Sequence, residues 1–137
     1  MRKKVLRAVT AAALIPATFT ATGPAPDEWH CAALNGRGDQ LCLHLNQFLG
    51  WWTGFSAEYR RSSNAGTWAN VTIYWAGPRQ SGYLPDPSLP YLVRAGETAG
   101  GGSWADLPGT SCVSVRALVL EATGSYNVSD PLTVCRD

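Results

Sequence analysis

Residues 111–135 read SCVSVRALVLEATGSYNVSDPLTVC. Small apolar residues alternate with polar ones along both arms, and Thr123–Gly124 lies between them. Placing Cys112 opposite Cys135 fixes a register by counting inward. Val113 then faces Val134, Val115 faces Leu132, Val119 faces Val128, and Ala122 faces Ser125. The loop left over is Thr123–Gly124, with glycine second, where a type I′ turn needs positive φ. The register also sorts the side chains. One face takes Val113, Val115, Ala117, Val119, Val128, Leu132 and Val134. The other takes both cysteines with Ser114, Arg116, Asn127, Ser129 and Thr133. One dry face and one wet face mark an antiparallel pair lying on a core. Asp130 falls on the dry side and Pro131 has no N–H to give a ladder, so a bulge or a sheet edge is predicted there.

Residues 29–49, WHCAALNGRGDQLCLHLNQFL, repeat the pattern. Cys31 opposite Cys42 centres a loop on Gly36–Arg37, with glycine first as in a type II′ turn. Leu41, Leu43 and Leu45 then share a face with Ala32 and Leu34. Two hairpins independently give cross-strand cysteines, so the predicted disulfides are Cys31–Cys42 and Cys112–Cys135. Closing such short loops contributes about 3 kcal/mol each in the chain-entropy account. Zinc ligation needs closer cysteine spacing and is not expected, nor is any other metal or cofactor.

Two strands lie between the hairpins. WWTGFSAEYR runs from Trp51 to Arg60, and TWANVTIYW runs from Thr67 to Trp75. Ala69, Val71, Ile73 and Trp75 alternate with Trp68, Asn70, Thr72 and Tyr74. The stretch Gly77–Pro90 carries four prolines and reads as an extended loop. Tyr91–Ala95 reads as a short strand, Gly100–Gly102 as a break, and Ser103–Leu107 as an edge strand. No helical period follows residue 26. The expectation is an all-β chain: a single antiparallel β-sandwich of seven or eight short strands over residues 26–137, or else a small barrel, stapled by two disulfides.

The N-terminus reads as an export signal over residues 1–25. Arg2, Lys3, Lys4 and Arg7 precede an apolar run from Val5 to Ile15, which is too short to span a bilayer. From residue 27 onward there are seven arginines and ten carboxylates, a net charge of 7 − 10 = −3. That balance argues against nucleic acid. Export fits oxidised cysteines and an extracellular location. The arginine bias fits a GC-rich bacterial genome.

Catalytic signatures are thin: GxSxG, HExxH and a phosphate loop are all missing from the sequence. His30 and His44 are predicted to project from opposite faces. Glu58, Asp106 and Glu121 would serve a hydrolase only if the fold brought them together. The stronger reading is non-catalytic binding of an extracellular glycan or cell-wall polymer. If the two middle strands pair as a hairpin, Trp52 and Glu58 share an outward face with Trp68, Asn70 and Tyr74. Flat rings among short polar groups suit a sugar ring. The alternative is a protease inhibitor whose Pro-rich loop presents Arg79, Tyr83 or Leu84 to a secreted protein.

Overall fold

The structure is a computed structural model that describes the backbone of Phe19–Thr22 and residues 28–136. The export-signal reading lies outside the described residues, apart from that short strand. Among the described residues there are eleven strands: β1 (Phe19–Thr22), β2 (His30–Ala33), β3 (Gln40–Leu49), β4 (Trp52–Arg60), β5 (Ala69–Ala76), β6 (Ser81–Leu84), β7 (Tyr91–Val93), β8 (Thr98–Asp106), β9 (Cys112–Glu121), β10 (Tyr126–Val128) and β11 (Leu132–Cys135). Among the described residues there is no helix.

The strands form two sheets. The first has the order β1-β11-β9-β5-β6, with β10 also on the β9 edge and β7 also on the β5 edge. The second has the order β2-β3-β4-β8. All pairings are antiparallel except β1 with β11. The strand count exceeds the expected seven or eight because two edges are interrupted and because β1 lies ahead of residue 26, where no strand was expected. Each sheet turns its apolar face to one shared core. Leu41, Leu43, Phe55 and Ala57 come from the second sheet, and Val71, Ile73, Val113, Val115 and Leu132 from the first. The result is sandwich-like.

Both disulfides join the expected partners, Cys31–Cys42 and Cys112–Cys135. Near the last disulfide the counted register holds, with Val113 opposite Val134 and Val115 opposite Leu132. Beyond Pro131 it slips by one, and Leu118 rather than Val119 faces Val128. Ser129 causes the slip. Its N–H donates to the Ala117 carbonyl at 2.9 Å, and its hydroxyl accepts from the Ala117 N–H at 2.8 Å. One side chain thus stands in for a ladder partner. The turn becomes three residues, with the Glu121 N–H donating to the Ser125 carbonyl at 2.8 Å and Gly124 at φ 97°. Val128 leaves the core face and is exposed. In the first hairpin the left-handed residue is Gly38, φ 103°, not Gly36. The Asn35 side chain decides this by accepting from the Arg37 and Asp39 N–H groups at 3.0 and 3.4 Å, which wraps the loop around it.

The largest correction concerns the middle of the chain. β4 and β5 do not pair: β4 lies between β3 and β8, whereas β5 lies against β9 in the other sheet. Residues 61–68 cross from one sheet to the other instead of turning back. The alternation along each strand was legible, and Ala69, Val71, Ile73 and Trp75 are buried as expected. The Pro-rich stretch is more regular than expected. β6 and β7 both run along β5, and only residues 85–90 stand clear. The three glycines do not break the chain. They lie inside β8, paired with Ala57, Glu58 and Ser56.

Burial of polar groups explains the crossover. Asp39 is fully buried and accepts hydrogen bonds from Tyr59 Oη at 2.6 Å, Arg37 Nη2 at 2.6 Å and the Ser62 N–H at 2.8 Å. Arg61, 3% exposed, donates from Nη2 to Glu121 Oε1 at 2.7 Å and from Nε to the Thr67 carbonyl at 3.0 Å. Its own N–H donates to the Glu97 carbonyl at 2.9 Å, which ties this crossover to the β7–β8 connection. Glu121 belongs to the first sheet and Asp39 to the second hairpin arm, so the network spans both sheets. Burial alone would raise the Asp39 carboxyl, but hydrogen bonds from Arg37, Tyr59, Ser62 and Asn35 outweigh it and hold it at about 2. Burial, reinforced by Asp39, pushes Tyr59 up to about 12. Glu121 is held low chiefly by Arg61.

Two outcomes follow from this network. Arg61→Leu removes the closest partner of Glu121 and a donor to Tyr59, while Arg37 still pairs both Asp39 and Glu121, and is expected to cost about 3 kcal/mol in thermal unfolding. A loss no larger than that of an exposed arginine such as Arg94 would remove the network from this role. In wild type, Asp39 has a folded pKa of about 2 against an unfolded value of about 3.9, so its contribution is complete above about pH 5 and is lost as pH falls toward 2. Denaturant unfolding across that window should lose about 2 kcal/mol that Asp39→Asn does not lose.

Candidate functional site

The residues read as one aromatic face belong to two. Trp52 and Glu58 sit on β4 and face outward from the second sheet. Asn70 and Tyr74 sit on β5 and face outward from the first, with Trp68 just before it. The core lies between the two groups, so Trp52 does not meet Tyr74 and Glu58 does not meet Trp68. The cause is the crossover at 61–68. Trp52 and Trp68 are exposed, and Tyr74 is half-buried against Tyr83, their ring centroids 5.3 Å apart. On that outer face an apolar row crosses the sheet through Leu92, Leu120 and Tyr126, all exposed, with Asn70 among them.

The residues of the Pro-rich stretch are largely occupied. Leu84 is buried in the core, which corrects the expectation that it faces a partner. Arg79 Nη1 donates to Asp106 Oδ2 at 2.9 Å, and its guanidinium lies 5.8 Å from the Trp51 ring. Tyr83 is exposed but packs against Tyr74 with the rings tilted by 56°. The carboxylates do not converge. Glu58 pairs with Gly100 and Asp106 with Trp52, six residues apart along β8, or about 20 Å at strand rise. Glu121 sits in the Arg37–Arg61 network. Among the described residues no cluster of histidine, cysteine and carboxylate could hold a metal.

A concavity that joins an indole ring to polar groups and bare backbone lies on the outer face of the second sheet. It is a trough of about 390 Å³ lined by Trp29, Ser56, Glu58 and the backbone of residues 98–102. Its floor exists because of glycine. A Cβ at Gly100 would lie 2.1 Å from the Ala57 carbonyl oxygen, and one at Gly102 would lie 2.7 Å from that of Phe55. Only glycine lets β8 roll this close to β4, and the same choice leaves the backbone bare. Trp29 forms a wall. Its ring lies 4.9 Å from that of His44, and the Arg60 guanidinium sits 5.5 Å from its centroid. Arg60 Nε donates to Glu58 Oε1 at 2.9 Å. Ser56 Oγ accepts from Asn46 Nδ2 at 2.8 Å, which leaves its own proton free to point elsewhere. Further along this face the Trp104 ring covers Gly54.

Of the expected site residues, only Glu58 lines this trough. Trp29 and the glycines were missed. The signal for Trp29 was available, since the first hairpin's register already placed it beside His44. The glycines look in sequence like punctuation, and nothing local distinguishes a break from a strand pressed against its neighbour.

No protein-family model matches the sequence, and neither a curated protein nor a solved structure matches it. The site therefore rests on its own geometry.

Gly100→Ala is expected to destabilise by about 1–3 kcal/mol, because the added methyl meets backbone that cannot rotate away. Gly36→Ala, where nothing lies within 4 Å, is the control and should change little in the same thermal scan. Equal, small effects would mean that the close approach of β8 to β4 is not real.

Proposed function

We propose that the chain is an exported, non-catalytic β-sandwich domain that binds an extended extracellular polymer, a glycan or cell-wall strand, along the trough of the second sheet. The carrying observation is the combination of Trp29 with a floor of bare backbone. A sugar ring is flat on its C–H face and polar at its rim. An indole wall takes the first, while Glu58, Ser56 and glycine amides take the second. The trough is open and shallow, as a polymer running through it requires. Arg60 and His44 brace Trp29 from behind, so little freedom is lost on binding. Two disulfides suit an oxidising, extracellular setting.

The inhibitor reading has less support. Leu84 is in the core and Arg79 is paired, so residues 85–90 would have to act alone. The separated carboxylates weaken the hydrolase reading in the same way.

The test is retention on a panel of insoluble polysaccharides, with a protease-inhibition assay beside it. Wild type should be retained on at least one polymer. Trp29→Ala should weaken retention about tenfold, equivalent to about 1.4 kcal/mol, with unfolding near wild type. Trp68→Ala should bind normally. Loss with Trp68→Ala and not with Trp29→Ala would move the site to the first sheet. Inhibition of a protease with no polymer retained would sink the proposal.

A further inference from the structure

The two sheets have four lateral edges, and three are blunted. β2 is four residues long. The β6–β7 edge is interrupted by the proline-rich residues 85–90. On the far side of the first sheet the edge is split between β10, three residues long, and β1, four residues long, which lies outside β11. The β8 edge is different. It is nine residues long and, among the described residues, pairs with β4 alone. Thr98–Ala105 contains no charged residue and no proline, and three consecutive positions have no side chain. The usual devices that keep edges from pairing are missing there.

The backbone groups on that edge can be assigned. The Cα atoms of Cys31 and Cys42 are 4.0 Å apart, the spacing of a non-hydrogen-bonded pair. Cys42 therefore bonds to Glu58 on its other side, and Glu58 turns away from Gly100. By alternation Gly100, Gly102, Trp104 and Asp106 point their N–H and C=O groups away from β4. Three bonds agree with this parity. The Asp106 N–H is taken by Gln80 Oε1 at 3.0 Å, beyond the edge. The Leu107 and Arg61 N–H groups, of the other parity, donate across the pair to Trp51 and Glu97, both at 2.9 Å. Gln80 caps the edge at Asp106. No backbone partner meets Gly100, Gly102 or Trp104 among the described residues.

We infer that the β8 edge pairs with the β8 edge of a second copy of this chain, antiparallel about a two-fold axis near Gly101–Gly102. A foreign strand gains specificity from pockets for alternate side chains, and a glycine edge offers none. A self-pair takes its specificity from symmetry, and glycine permits close approach of two backbones. With no charge between Thr98 and Ala105, like charges do not face each other across the axis. Trp104 would lie near the partner's glycines, as it already covers Gly54 within the chain. The pairing joins two four-stranded sheets into one and sets two troughs on a continuous face, which raises the effective concentration of the second for any polymer held by the first. It stands on the edge alone and holds whatever the trough binds.

Sedimentation equilibrium of wild type over a range of concentrations should show a monomer–dimer equilibrium. Amide exchange of the same samples should show protection at Gly100, Gly102 and Trp104 that disappears on dilution. Ala99, Gly101 and Ser103, bonded to β4, should stay protected throughout. Trp104→Pro removes an edge-facing donor without touching a β4 bond and should be monomeric. Trp104→Ala keeps the donor and should still dimerise. A monomer at all concentrations overturns the inference. So does exchange at Gly100 and Gly102 that ignores concentration, a dimer that survives in folded Trp104→Pro, or capture of an extended peptide without self-association. Should Trp104→Pro fail to fold, the wild-type exchange pattern decides alone.

Discussion

Arg61 stands at the point where the chain leaves one sheet for the other, and it is buried there. A guanidinium out of water must be surrounded by acceptors, and here they come from both layers: Glu121 from β9, the Thr67 carbonyl from the crossover, and Tyr59 Oη from β4. Tyr59 in turn donates to Asp39. Such a network is not a large source of net stability, since hydrophobic groups of equal volume often do as well. It does exclude alternatives. A hairpin between β4 and β5 would leave Arg61 in a turn, away from Glu121 on β9. The charge network thus decides that the two middle strands face each other across the core.

From that decision the surfaces follow. Once β5 crosses over, β4 has a free side, and β8 fills it. β8 must then fit a strand already packed on its inner face by Phe55, Ala57 and Tyr59. Glycines at 100 and 102 allow the fit, because any side chain would strike the carbonyls of β4. The same absence of side chains makes the trough floor flat and the outer edge of β8 bare. One steric requirement therefore underlies both a surface suited to a polymer and an edge suited to a second chain.

Charge is distributed with the same logic. The carboxylates Asp39 and Glu121 are buried or paired, and hydrogen bonds from arginines help hold their pKa values low. Glu58 keeps one arginine beside it and an open side toward the trough. It is available to a ligand hydroxyl in a way that Asp39 is not.

Much of this was legible in the sequence, and the boundary is physical. Alternation with period two reports which side of a strand meets the core, so the inward faces of β3, β5, β9 and β11 could be read directly. Cysteines opposite each other in a counted register gave both disulfides, because a short hairpin leaves few ways to bring two sulfurs together. What alternation does not report is which strands are neighbours. That depends on whether a connection turns or crosses, and residues 61–68 look like a turn until Arg61 is seen to need Glu121, sixty positions away. Likewise a glycine run states only that side chains are absent. Whether the absence marks a break or a close approach is set by the strand beside it. The inward faces and the disulfides belong to the sequence, since they rest on alternation and short hairpins, whereas the details of both turns do not, because Asn35 and Ser129 reset them. Sheet partners, the trough and the bare edge belong to the tertiary structure, because each is made by residues that meet only after the chain has passed from one sheet to the other and back.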